Sequence, residues 1–195
     1  MERRKFLITT GTTLAAGGMA LAGCTTTGGS NVGSGDPAAK RRSLNTDADA
    51  TLGRLYDTAR SSRQLVGRAK GVLVFPSVIA AGFWVGGQYG EGVLRVNGAT
   101  TGYYSTTSAS VGLQIGAQSK AIIFLFMTQS ALDQFRNSNG WSAGGDASVA
   151  LLKVGANGDI DTNTAQAPIE AIVLTNSGLM ANLSLEGTKV SRLDL

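Results

Sequence analysis

The only cysteine of this 195-residue chain stands where a covalent lipid could be attached. Cys24 ends the run Leu21-Ala22-Gly23-Cys24 and follows an apolar stretch and a basic start. Bacterial lipoprotein signals combine a positive start, a short apolar segment and small residues before the cysteine that is acylated. The spacing therefore predicts that residues 1–23 are a cleaved signal peptide and that Cys24 carries the lipid. The alternative is a buried structural cysteine after an apolar helix that is not removed.

The start of the chain resembles a twin-arginine export signal, in which two arginines and a variable residue precede Phe-Leu. Arg3, Arg4, Phe6 and Leu7 occupy those positions. The apolar stretch after them is diluted by Thr and Gly and ends at Ala22. It is too polar and too short for a transmembrane helix of about 20 apolar residues, so cleavage is predicted rather than membrane spanning. The export route stays open between the twin-arginine and general secretory systems.

The residues after the cysteine predict a location and a tether. Thr25 follows Cys24, where an aspartate would favour retention in the inner membrane. The predicted location is therefore the cell envelope, on the periplasmic side of the outer membrane. Residues 25–40 are mostly Thr, Gly, Ser, Asn and Ala, which is the composition of a flexible linker. Residues 24–44 are thus predicted to be a lipidated tether, and residues 45–195 to be one folded domain.

Several common catalytic chemistries lack their usual residues. Histidine is absent, and Cys24 has no second cysteine as partner. This excludes Ser-His-Asp and Cys-His nucleophiles, His-ligated zinc and an internal disulfide. Asp159 and Asp161 follow Asn157-Gly158, a strong hairpin-turn signal, and lack the other ligands of a calcium loop. They are interpreted as turn and strand-edge solvation, so no catalytic residue, metal site or cofactor is predicted and the chain is interpreted as a non-enzyme.

A basic segment opens the predicted domain. Residues 40–70 contain eight Lys and Arg residues but three Asp residues. From Thr46, apolar residues recur at helical spacing, which predicts an amphipathic helix that ends near Lys70. Arg54, Arg60 and Arg68 fall in its polar sector. Two interpretations stay open: the charges meet an anionic surface, or they are the solvated charges of a helix that packs on the body.

After this helix the apolar pattern changes to short strands separated by Gly, Asn and Ser. Pro76 is expected to end the first strand. A second helix fits Ser130 to Arg136, with Ser130 as its N-cap. The pattern predicts a β-rich α+β domain: a strongly curved antiparallel sheet or barrel-like β body with an N-terminal amphipathic helix and one short further helix. The predicted strands are 71–75, 79–87, 92–96, 102–105, 109–117, 121–127, 147–154, 169–175, 179–185 and 190–193.

A cluster of glycines at 86–92 invites comparison with nucleotide-binding loops. It lacks the Gly-Lys-Ser/Thr ending of a phosphate-binding loop, and no helical pattern follows it. The cluster is therefore predicted to form strand bends or a hairpin, where glycine permits close approach of backbones.

Several spaced blocks of residues resemble the SYLF domain family of lipid-binding proteins. They occur in the family's order and span about residues 52–193, which makes the resemblance more specific than a single glycine motif. The blocks are Ala69-Lys70-Gly71-Val72-Leu73-Val74-Phe75-Pro76; Gly82-Phe83 with Gly86-Gly87, Gly90 and Gly92-Val93-Leu94; Ser110-Val111-Gly112-Leu113-Gln114-Ile115-Gly116-Ala117-Gln118; Asp146-Ala147-Ser148-Val149-Ala150; and Gly178-Leu179-Met180-Ala181 followed by Ser184-Leu185-Glu186-Gly187.

The resemblance implies binding of phosphoinositide or another acidic lipid and, in some fungal members, of actin. Relatives are associated with membranes through a basic amphipathic leading segment, which corresponds here to about residues 46–70. It implies that Arg54, Arg60, Arg63, Arg68 and Lys70 contact lipid headgroups. In a bacterial envelope the ligand would be an anionic lipid such as phosphatidylglycerol, cardiolipin or a lipopolysaccharide phosphate.

Two functions of different kind follow for the predicted lipoprotein. The first is a lipid-anchored module whose domain binds anionic membrane lipid through the basic leading helix. The alternative is a non-catalytic structural or interaction protein of the envelope, with a protein partner and the acyl anchor as its only lipid contact. An exposed apolar patch, with the arginines held in intramolecular pairs, would favour the alternative. A nucleic acid partner is not predicted.

Overall fold

The computed structural model describes residues 36–82, 85–111, 118–152, 159–160, 166–180 and 185–195. These residues contain three helices and nine strands. The helices are α1 (Pro37–Thr58), α2 (Ser62–Arg68) and α3 (Gln129–Asn137). The strands are β1 (Gly71–Gly82), β2 (Val85–Val96), β3 (Ala99–Val111), β4 (Gln118–Phe126), β5 (Trp141–Ser142), β6 (Val149–Leu151), β7 (Ile169–Thr175), β8 (Gly178–Met180) and β9 (Lys189–Leu193). The signal residues, Cys24 and Asp161 lie outside the described residues, so what was inferred for them stays a prediction.

The described strands form one strongly curled, half-barrel sheet. Their order is β5-β9-β3-β2-β1-β4-β7-β6, with β8 paired to β7. Strand β6 runs parallel to β7, whereas the other pairs are antiparallel. The predicted β-rich α+β class with a strongly curved sheet is confirmed. The sheet is mixed rather than wholly antiparallel because of that single parallel pair.

Strand β1 continues through Pro76, where the sequence predicted its end. The register of β1 against β2 shifts between Val74 and Ser77, which marks a bulge around the proline. A bulge removes the need for the ladder hydrogen bond that proline cannot donate. The glycine cluster lies opposite: a Cβ on Gly90 would stand 2.7 Å from Cγ2 of Val78. The cluster therefore lies within the continuous strand β2 and does not form the hairpin that was one of its two predicted alternatives, and its glycines allow β2 to approach the bulge.

The sheet separates two layers of apolar side chains, because successive residues of a strand point to opposite faces. One layer contains α3 and an aromatic group formed by Phe124, Phe126, Phe135 and Trp141. The other layer lies under α1 and α2 and contains side chains from both helices and from β1, β2, β4 and β7. Each face of the sheet is thus covered by its own helices, and α1 and α2 are hereafter the helix pair.

The helix pair differs from the single helix predicted over residues 46–70. Helix α1 already begins at Pro37, and the Asp36 carboxylate accepts a hydrogen bond from the Ala38 amide at 3.0 Å. Residues 37–44 are therefore helical and do not belong to the tether that was predicted for them. The chain then breaks at Ala59, which is extended, and Ser62 donates to the Ala59 carbonyl at 2.5 Å.

Helix α3 was predicted correctly to within one residue at each end. Its N-cap is Thr128 rather than Ser130, because the Thr128 hydroxyl accepts from the Ala131 amide at 3.3 Å. No helix in the described ranges is both long and apolar enough to cross a bilayer.

Candidate functional site

Polar contacts hold α1 on strand β2. Lys40 Nζ lies 2.7 Å from Glu91 Oε1, near the start of the helix. Further along the helix, Arg95 forms an ion pair with Asp49 and donates to the Asn45 carbonyl at 3.2 Å. The hydrogen bond from Arg95 lowers the pKa of Asp49 below its ordinary value. The structure thus shows that the leading helix packs on the body, and whether its exposed charges also meet an anionic surface stays a prediction.

Asp159 fixes the start of α2. Its carboxylate accepts from the Ser61 hydroxyl at 2.6 Å and from the Ile160 amide at 2.8 Å. The bond from Ser61 is the main reason that the pKa of Asp159 is lowered, and Arg60 adds a smaller effect. The interpretation of Asp159 as turn solvation was incomplete, because the carboxylate also supplies the acceptor that the first turn of α2 lacks.

All five basic residues predicted to contact headgroups are exposed. In the described ranges none of them lies within salt-bridge distance of a carboxylate, whereas Lys40, Arg42 and Arg95 each do. They occupy successive parts of the helix pair and its exit: Arg54 on α1, Arg60 in the break, Arg63 and Arg68 on α2, and Lys70 immediately before β1. Ser62 and Leu65 are the buried residues of α2, so the opposite side of this helix, which carries Arg63 and Arg68, faces solvent.

Two members of the set have defined neighbours. The Arg63 guanidinium lies over the Tyr56 ring, 4.6 Å from its centroid, an arrangement that attracts a cation. Arg54 lines a groove of about 260 Å³ with Asp57, Thr58 and Thr175, and no other member of the set lines that groove. The five residues therefore form an extended cationic surface, hereafter the basic surface, rather than an enclosed pocket.

Glu170 is a buried acidic residue beneath the helix pair that the sequence analysis missed. It is 0 % exposed, and by strand periodicity it shares one face of β7 with Ile172 and Leu174, the face covered by α1 and α2. Its Oε1 accepts from the Ala167 amide at 3.2 Å, and its Oε2 has no hydrogen-bond partner among the described residues. Burial raises the pKa of Glu170, and the charge of Arg68 partly opposes that shift. A lone glutamate inside the apolar run 169–174 was the available signal.

Glu170→Gln is expected to raise stability increasingly as the pH rises. A carboxyl whose pKa is raised by folding is tolerated while protonated, so its penalty is absent at acid pH and grows as pH rises through the native pKa. We expect the variant to match the parent at acid pH, where the carboxyl is protonated in both the folded and the unfolded chain, and to exceed it in stability by about 1–3 kcal/mol at neutral pH. Urea unfolding across that pH range measures the difference. Asp133→Asn, at an exposed site, is the control and should show no such trend.

An exposed apolar pair lies on the same side of the sheet, beside the first half of α1. Ile79 and Tyr89 are cross-strand partners in β1 and β2, and they are 53 % and 50 % exposed. With Leu44 and Pro76 they line a groove of about 310 Å³. The Tyr89 hydroxyl donates to Glu91 at 2.8 Å, and desolvation together with this bond raises the pKa of Tyr89 to about 12. Within the described ranges the structure thus contains both features that were to separate the two functions: arginines that form no salt bridge, and an exposed apolar pair.

Comparison with known proteins gives two matches. Residues 107–194 match the model of a family named Ysc84 and described as Las17-binding protein actin regulator. An SH3 domain-containing protein of Schizosaccharomyces pombe is 31% identical over 129 residues, which cover 62% of this chain and 29% of that protein. The chain therefore spans less than a third of this curated relative. The family match runs from β3 to the end of β9, so the helix pair precedes it.

Proposed function

We propose that the chain is a lipid-anchored binding protein of the Ysc84 family, whose model residues 107–194 match and which corresponds to the SYLF family that its sequence blocks resemble. The family is one of lipid- and actin-binding-type domains rather than of known catalysts. In this proposal the domain binds anionic lipid in the bacterial envelope through the basic surface. The lipid on Cys24 holds the domain at the periplasmic side of the outer membrane.

The main observation in support of this proposal is the exposure of the five basic side chains. They are exposed and lack short ion pairs with described carboxylates, so their charge is available to an external anion. A Lys or Arg near an anionic membrane surface contributes about 1 kcal/mol, and salt screens that attraction within about 10 Å. Several such residues together give useful affinity for phosphatidylglycerol, cardiolipin or a lipopolysaccharide phosphate.

The acyl anchor strengthens this interaction by proximity. Twelve positions separate Cys24 from Asp36, the first described residue before α1. A short tether keeps the basic surface at a high effective concentration near the bilayer, so weak headgroup affinity is sufficient. The same tether would hold a domain that has no lipid affinity of its own. Lipid binding by the domain must therefore be measured without the anchor.

Vesicle co-sedimentation tests the proposal. The protein is residues 24–195 carrying the substitution Cys24→Ser, which is the predicted mature chain without its acylation site. The vesicles are phosphatidylcholine alone or phosphatidylcholine mixed with phosphatidylglycerol. The variant Arg60→Gln/Arg68→Gln should bind the mixed vesicles about 30-fold more weakly, because two contributions of about 1 kcal/mol are lost. Arg136→Gln/Lys189→Gln removes the same charge from exposed positions on α3 and β9 and should bind like the parent.

Either of two results would contradict lipid binding by the basic surface. In one, the chain binds both kinds of vesicle equally, so that anionic lipid is irrelevant. In the other, both double variants lose the same affinity, so that only net charge matters. Thermal unfolding of each variant verifies that the fold is retained.

The exposed pair Ile79 and Tyr89 favours the alternative, an envelope interaction protein whose only lipid contact is the acyl anchor. In that case the unanchored chain should ignore vesicles of either composition. Ile79→Ser/Tyr89→Ser should then release a protein that co-purifies with the anchored parent, while Arg60→Gln/Arg68→Gln should retain it.

A further inference from the structure

A third groove, distinct from the basic surface, lies where α1, the start of β3 and the end of β9 meet. It has a volume of about 620 Å³, and its polar lining comes from Arg41, Thr100, Thr101, Tyr103, Arg192 and Asp194. Pockets that bind small molecules commonly measure about 300–1,000 Å³. We propose that this groove binds a phosphate ester that carries free hydroxyl groups.

Two guanidinium groups supply the phosphate-binding part. Arg41 and Arg192 are exposed, and neither forms a salt bridge within the described ranges. They are 151 positions apart in sequence, and both line this groove. The neighbours of Arg41 on α1 differ, since Lys40 pairs with Glu91 and Arg42 lies 3.7 Å from Asp36. Planar guanidinium groups bind phosphate oxygens through paired hydrogen bonds, so both arginines present suitable donors to an anion in this groove.

Tyr103 adds a hydrogen-bond donor beside the arginines. Its hydroxyl oxygen accepts from Asn45 Nδ2 at 2.9 Å, which leaves the hydroxyl proton available to a ligand. Asn45 belongs to α1, so the same contact that seats the helix also orients the tyrosine. The donors on this side of the groove are therefore two guanidinium groups and one phenol.

The remaining polar groups are acceptors. Thr100 donates its hydroxyl proton to Asn45 Oδ1 at 2.5 Å, and Thr101 donates to the Leu94 carbonyl at 3.4 Å. Both hydroxyl oxygens can therefore still accept a hydrogen bond. Asp194 adds a carboxylate, which repels a bare anion but accepts from a hydroxyl group. Donors beside acceptors fit a ligand that carries both a phosphate and hydroxyls, such as a glycerol phosphate or a sugar phosphate.

Such a phosphate ester is present in lipid headgroups and in soluble metabolites. Residues 24–195 carrying Cys24→Ser are titrated by calorimetry with two soluble esters, glycerol 3-phosphate and glucose 6-phosphate. Inorganic phosphate is the probe without hydroxyls. Vesicles containing phosphatidylglycerol form the other arm. Binding of a soluble probe assigns a soluble ligand, and binding to vesicles that depends on Arg41 and Arg192 assigns a headgroup.

Three variants distinguish the proposed site from general attraction of anions. Arg41→Gln and Arg192→Gln should each weaken binding of the ester about tenfold. Asp194→Asn should weaken binding of the ester but strengthen binding of inorganic phosphate, because a hydroxyl acceptor and a repelling charge are lost together. Arg136→Gln, at an exposed position outside the groove, should have no effect.

The proposal is overturned if neither arm shows binding that depends on Arg41 and Arg192, or if inorganic phosphate binds as tightly as the esters. Arg41, Arg192 and Asp194 are exposed, so these variants should retain the fold, which thermal unfolding verifies. The outcome is independent of the basic surface. Arg60→Gln/Arg68→Gln should leave binding in the groove unchanged even if lipid binding by the helix pair fails.

Discussion

Trp141→Ala is expected to lower the free energy of unfolding by about 3–5 kcal/mol, the range for removing a large buried aromatic side chain. Trp141 is 1 % exposed and lies at the centre of the layer that contains α3. Its ring centroid is 5.6 Å from that of Phe124 and 5.7 Å from that of Phe135, with both pairs edge to face. Alanine would leave a cavity lined by rings that cannot collapse into it without losing these contacts.

Urea unfolding measures this loss. It is monitored by far-ultraviolet circular dichroism, because that signal does not depend on the tryptophan that the variant lacks. Tyr89→Ala is the matched control, because it also removes an aromatic ring but from a side chain that is 50 % exposed. The control should lose less than about 1 kcal/mol. Equal losses in the two variants would show that the aromatic layer is not the main core of the domain.

Gly92→Ala is expected to destabilise the protein by about 3 kcal/mol, toward the upper end for an overpacked core. Gly92 lies in β2 opposite the bulge around Pro76. A Cβ at this position would stand 2.6 Å from Cδ1 of Phe75 and would also overlap the carbonyl oxygen of Val74. The carbonyl belongs to the backbone of β1, so a side-chain rotation cannot remove the overlap and the two strands must move apart.

Gly87→Ala is the control for this effect, since Gly87 lies in the same strand and a Cβ there would contact nothing within 4 Å. Alanine at that position should be neutral or stabilising by about 0.5–1 kcal/mol, because it restricts the unfolded chain. Chemical denaturation of both variants provides the comparison. If Gly87→Ala destabilised the protein as much as Gly92→Ala, the cost would arise from glycine replacement in β2 generally and not from the bulge.

The bounds of a strand were predicted best where burial of the strand produces a clear apolar pattern in the sequence. Strand β7 matches its predicted bounds, because a strand covered on both faces is a mainly apolar run, interrupted here by Glu170, between polar residues. Strand β1 was predicted too short, since proline normally ends a strand unless a partner tolerates a bulge. That tolerance comes from Gly90 and Gly92 of the neighbouring strand, and local pattern does not reveal which strands are neighbours.

In the candidate sites, too, the sequence predicted the local features, and packing decided which residues meet. The basic residues of 54–70 could be recognised from charge and helical spacing, and the structure places all of them at the surface. Arg41 was assigned to the tether because its surroundings have linker composition, whereas helix α1 includes it. Its position beside Arg192 depends on where α1 packs against β2 and β3, which no local pattern encodes.

The sequence alone determined the β-rich class, the short helix α3 and the set of basic residues between 54 and 70, because composition and periodicity are local properties of the chain. The tertiary structure decided which charges are neutralised and which are free. Lys40 is paired with Glu91 across 51 positions, and Ser61 is bound by Asp159 across 98 positions. Such partners meet only after the sheet has formed, since an ion pair or cap requires a distance of a few ångströms that packing sets and sequence spacing does not.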